Sequence, residues 1–89
     1  MTLTENPAER AKRSIQSFES VLIKKKILTE DAVVKSSNIM RVSDTIQRYL
    51  NDARHYLENQ KPTTSLASIA YAEGLLDALV YLELTKPLE

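Results

Sequence analysis

Three stretches of the chain place apolar residues at helical spacing, and no strand is needed to account for the rest. In the first, Ala8, Ala11, Ile15, Phe18 and Leu22 recur at alternating spacings of three and four, a narrow stripe suited to packing in a bundle. Its start is legible. Asn6 can cap, Pro7 stands at the first helical position where a missing N–H costs nothing, and Glu9 comes three residues after the cap as in a capping box. The predicted helix covers about residues 6–26 and ends at Lys24, Lys25 and Lys26, whose cations suit the negative end of a helix dipole. The second stretch, about residues 37–60, gathers Ile39, Val42, Ile46, Tyr49, Leu50, Ala53, Tyr56 and Leu57 within about 120° of a helical projection. Lys61, Pro62, Thr63 and Thr64 break the pattern, because a proline disfavours helix in the residue before it and the threonines can cap a new helix. A third helix is predicted over about residues 64–85, and it differs in kind, with apolar residues on nearly every side.

The short break makes the second and third helices antiparallel neighbours, and the first can close the group through a longer connection. The expected fold is therefore all-α: one domain over residues 1–89, an antiparallel three-helix bundle. Between the first two long helices, residues 27–38 mix β-branched Val33 and Val34 with a cap-like Thr29, Glu30 and Asp31, so that an extra short helix and an ordered loop fit equally well. No internal repeat is present.

Composition narrows the chemistry. With 89 residues, 43% of them hydrophobic, one glycine and three prolines, the chain is an ordered small domain rather than a linker. A chain this short buries only about 60–65% of its unfolded surface, so a partner subunit would help it. The absence of cysteine removes disulfides, thiolate metal sites and cysteine nucleophiles, and leaves a cytoplasmic location unopposed. No signal peptide and no membrane span are expected, since residues 1–13 lack an apolar run and Glu73, Asp77 and Glu83 interrupt the most apolar helix. Twelve basic residues balance twelve acidic ones, so nucleic acid has no global electrostatic hold. Locally the charge is uneven: residues 1–29 carry six basic and three acidic side chains, and residues 62–89 carry one basic and four acidic. The two ends should attract each other.

Catalytic constellations are thin. Asp52 and His55 have a spacing used by carboxylate-bridged metal bundles, yet they project opposite the apolar stripe and no second copy of the motif exists, so a solvated pair is the plainer account and no metal or cofactor is expected. Arg48 and His55, seven residues apart, look like the nuclease motif of the HEPN family of helical RNA-cleaving proteins. They also lie with Arg41 on one polar stripe, where Asp44 is placed to pair with Arg48. A lone histidine offers no nucleophile–base pair with an oxyanion hole, and a lone glycine inside a helix offers no phosphate cradle.

The richest stretch runs from Ala70 to Leu79. Gly74 in a helix interior costs about 1 kcal/mol relative to alanine, which predicts that another helix approaches closely there, with Ala70 and Ala78 one turn away on either side. Tyr71, Gly74, Leu75, Ala78 and Leu82 are thus the expected packing or interaction residues. Glu73 and Asp77 repel each other at four-residue spacing and should be answered by a cation, either an ion or basic side chains of the first helix.

The sequence Tyr49-Leu50-Asn51-Asp52-Ala53-Arg54-His55-Tyr56-Leu57-Glu58, then a turn, then Tyr71-Ala72-Glu73-Gly74-Leu75-Leu76-Asp77-Ala78-Leu79, resembles an archaeal family of short proteins known as domain of unknown function three-five-seven. The tyrosine, alanine, glycine and aspartate series at Tyr71, Ala72, Gly74 and Asp77 carries most of the likeness. The chain departs from the family pattern in two places: the turn Asn59 to Thr63 lacks the usual Gly-Asp, and no glycine comes after the last helix. The resemblance implies a compact helical fold in an archaeal cytoplasm with no assigned activity. The expected function is that of a non-enzymatic structural or interaction module, which self-associates or docks on another protein through its apolar third helix. The alternative is a HEPN-like RNA-binding or RNA-cleaving domain using Arg48 and His55.

Overall fold

Apolar periodicity becomes three helices in the computed structural model, which describes residues 6–88: α1 (Pro7–Leu22), α2 (Ser36–Glu58) and α3 (Pro62–Tyr81). No strand occurs among the described residues, and the fold is all-α. By their internal contacts the described residues fall into two compact units, divided between Ala32 and Val33.

In the first unit, α1 begins as the capping signals predict. The Asn6 side chain accepts a hydrogen bond from the Glu9 backbone N–H at 2.8 Å, and Pro7 opens the helix. The helix stops at Leu22, about one turn before the predicted end. Lys24 N–H and Lys25 N–H donate to the carbonyls of Val21 and Leu22 and tighten the last turn. Continuing the helix would set Lys25 and Lys26 on the apolar stripe, where no burial would offset the ordering entropy. The extra short helix admitted for residues 27–38 is absent, for residues 25–35 form no helix. Thr29, Val33 and Val34 are poor helix formers, and a segment this short nucleates only when packing supports it.

In the second unit, α2 and α3 form an antiparallel hairpin. Tyr49 stands against Tyr71 with ring centroids 4.4 Å apart, and the Ser65 hydroxyl donates to the Ala53 carbonyl at 2.6 Å. Between the helices lie Ala53, Ser68, Ala72 and Leu79, all buried. Small residues at three of these four positions let the backbones approach. The apolar stripe predicted for α2 is buried or half-buried except at Leu57, which is exposed.

Both helices of the hairpin end alike. Gln60 N–H donates to Leu57 and Lys61 N–H to Tyr56 after α2; Glu83 N–H donates to Val80 and Leu84 N–H to Leu79 after α3. This is the Schellman ending, which turns one residue into the left-handed region. Here those residues are Gln60 (φ 61°) and Glu83 (φ 59°), where glycine would be the unstrained choice. The third helix begins at Pro62 rather than Thr64, because proline is already set for the first helical position while Lys61 before it is held outside the helix (φ −120°, ψ 65°).

Candidate functional site

A helix hairpin has two long grooves, one along each side of the helix contact, and in this hairpin they differ in chemistry. The first is lined by Asn38, Arg41, Val42 and Thr45 of α2 and by Tyr71 and Leu75 of α3, with a volume of about 340 Å³. Arg41, Asp44 and Arg48 also line a shallow depression beside it on α2. This flank is polar and cationic. The second groove, about 170 Å³, is lined by Ile46 and Leu50 of α2 and by Ile69, Ala72, Glu73 and Leu76 of α3. Its walls are apolar apart from the single carboxylate.

The structure divides the site residues predicted on α3 between these flanks. Tyr71, Gly74, Leu75, Ala78 and Leu82 fall within about 100° of the helix circumference, on the side of the cationic groove. Leu75 turns half-buried toward α2, and Tyr71 is 52% exposed while its ring meets Tyr49. Ala78 and Leu82 are exposed. Glu73 and Asp77 lie on the opposite flank, both exposed, beside Leu66, Leu76 and Val80.

Gly74 corrects an expectation. A Cβ placed there meets nothing within 4 Å, so α2 does not approach α3 at that point. The physical reason is its position on α3, roughly opposite the buried line through Ser68, Ala72 and Leu79. Only helix propensity then separates glycine from alanine. Gly74→Ala is expected to raise stability by up to about 1 kcal/mol, seen as a higher melting temperature by far-UV circular dichroism; an unchanged or lower value would mean that an assembled partner fills this space.

The polar residues on α2 do not converge on a reacting centre. The Arg48 guanidinium lies 5.6 Å from the Tyr49 ring centroid. His55 stands two turns further along, its ring 5.9 Å from that of Tyr56, while Asn59 Nδ2 donates to the His55 carbonyl at 2.7 Å and lies 3.4 Å from its Nδ1. Seven residues separate Arg48 and His55 by about 10 Å along the axis. Among the described residues, no group of three or more histidine, cysteine, aspartate or glutamate side chains is placed to hold a metal ion. No helix among them is long and apolar enough to cross a membrane.

Sequence reasoning misses the apolar groove as a unit. Ile46, Leu50, Ile69 and Leu76 each read as ordinary interior positions. One signal points to it: the stripe on α2 spans about 120°, wider than a single neighbouring helix covers, and its outer edge carries Ile39, Ile46, Leu50 and Leu57.

Comparison with known proteins agrees with the likeness carried by Tyr71, Ala72, Gly74 and Asp77. No curated protein and no solved structure matches the chain. A family model described as "Protein of unknown function (DUF357)" matches residues 8–85. That match spans all three helices and the connections between them, and the chain belongs to the DUF357 family.

Proposed function

We propose that this chain is a small helical interaction module that self-associates through the apolar surface of its third helix. The observation that supports this reading is the mismatch between α3 and its cover within the hairpin. The helix is apolar on nearly every side, whereas α2 lies along one side, and on the flank that carries Glu73 the side chains of Leu66 (68% exposed), Leu76 (46%) and Val80 (49%) remain open. Each large apolar side chain gains about 1.5–3 kcal/mol when fully buried. Three from each of two copies can offset the loss of translational and rotational freedom on association, which costs roughly 4–15 kcal/mol. Nothing in the polar stripe of α2 asks for a catalytic role in comparable terms. The module therefore acts by binding.

Sedimentation equilibrium at micromolar concentration tests the proposal. The expected result is a species of at least twice the 10.1 kDa chain mass. A chain that stays at 10.1 kDa up to high concentration overturns it. Labelled RNA added to the same preparation is expected to remain intact. Cleavage lost in both Arg48→Ala and His55→Ala would instead move the function to the polar stripe of α2.

A further inference from the structure

The apolar groove has a definite shape and charge, and a complementary element exists in the same sequence. Along α3 the open apolar edge runs from Leu66 to Val80, fourteen residues or about 21 Å of helix, and α2 supplies Ile46 and Leu50 as the facing wall. Glu73 stands at the rim and Asp77 one turn further on, both exposed. The element that fits is an amphipathic helix about 20–25 Å long, with one narrow apolar stripe and cations on its shoulders.

Helix α1 has these properties. Its 16 residues span about 24 Å. The stripe of Ala8, Ala11, Ile15, Phe18 and Leu22 occupies one side, and none of the helix's residues is buried. Arg10 lies to one side of the stripe and Lys12, on the same face as Glu19, to the other, and Lys24, Lys25 and Lys26 come after the helix. Charge also favours this groove over the other, whose one charged lining residue is Arg41, with Arg48 and Asp44 in the depression beside it, whereas this groove carries the carboxylate of Glu73.

We infer that this groove receives α1 of a second copy of the chain, so that two copies exchange their first helices; the inference rests on the self-association proposed above and names the surface that performs it. The connector favours exchange. Residues 25–35 form no helix, and Ile27, Thr29, Val33 and Val34 among them favour extended backbone. Those eleven residues reach about 36 Å when extended, enough to carry α1 to another molecule. The contrast is the α2–α3 turn, three residues long with a left-handed Gln60, which closes a hairpin within one chain. Exchange of identical elements fills both grooves of the dimer at once, so this interface closes at two copies.

Charge reversal in the full-length chain tests the inference. One variant carries Glu73→Lys and Asp77→Lys, the other Arg10→Glu and Lys12→Glu. In a homodimer of either variant, like charges face each other across both grooves, and association at low salt is expected to weaken at least about tenfold. In the mixed dimer every α1 meets a groove of opposite sign or the reversed pair that matches it. Mixing the two variants is therefore expected to restore association, with native mass spectrometry showing the heterodimer in excess over either homodimer. A chain carrying all four substitutions should dimerise like the wild type, and it guards against a variant that has merely lost helicity. Two outcomes overturn the exchange while leaving self-association standing: variants that dimerise as well as the wild type, or a wild-type dimer whose variants are not rescued by mixing. A monomeric wild type overturns both proposals.

Discussion

Leu79→Ala is expected to be the most damaging simple substitution in this protein, lowering stability by about 2–5 kcal/mol. Leu79 is the only large side chain among the buried residues of the hairpin, at 8% exposure, and its companions there are Ala53, Ser68 and Ala72. Three small residues cannot close over the space left by three missing carbon atoms, so the cavity term adds to the lost transfer energy. Leu79 also gives its carbonyl to Leu84 N–H in the Schellman ending, and half-buried Leu84 is the residue whose apolar contact usually closes that motif. The loss should therefore reach the end of α3. Chemical denaturation monitored by helical circular dichroism checks the expectation, with Leu76→Ala as the comparison. Leu76 is 46% exposed, and its truncation in the monomer should cost much less. Equal losses at the two positions would mean that Leu79 is not the anchor of the hairpin.

The second expectation runs in the opposite direction. Replacing both Gln60 and Glu83 by glycine should stabilise the protein by about 2 kcal/mol, near 1 kcal/mol for each site, because a left-handed residue with a Cβ costs roughly 1–2 kcal/mol and glycine's larger unfolded-state entropy returns part of that. The two sites stand at opposite ends of α3, about 30 Å of helix apart, so their effects should add. Thermal unfolding of both single variants and the double variant measures this. If the double variant is no more stable than the wild type, the side chains of Gln60 and Glu83 contribute contacts that offset the backbone strain. Both helix endings keep the Schellman bonds, with the left-handed conformation placed on residues less suited to it than glycine.

Much of the local structure is legible in the chain because it depends on neighbours in sequence. The cap at Asn6, the entry at Pro7, the existence of three helices and the antiparallel hairpin all come from spacings of a few residues, where the groups that interact are held close along the chain. Helix ends are less legible. Past Leu22 the lysines remain good helix formers, yet the helix ends there in a tightened turn in which Lys24 and Lys25 N–H bond to Val21 and Leu22. The likeness read from Tyr49 to Glu58 and from Tyr71, Ala72, Gly74 and Asp77 points to the same family whose model matches residues 8–85.

The helical class, the pairing direction of α2 and α3, and the unequal charge of the two ends can all be read from the chain alone, being properties of residues within a few turns of one another or of simple composition. The side of α3 that faces α2 is settled only by packing. A helix apolar all round carries no amphipathic signal to orient it, so periodicity cannot tell Gly74 on an open face from Ala72 at the helix contact two residues away. The close fit of small residues at Ala53, Ser68 and Ala72 makes that choice, and it leaves Glu73 on the rim of an apolar groove and Gly74 against open space.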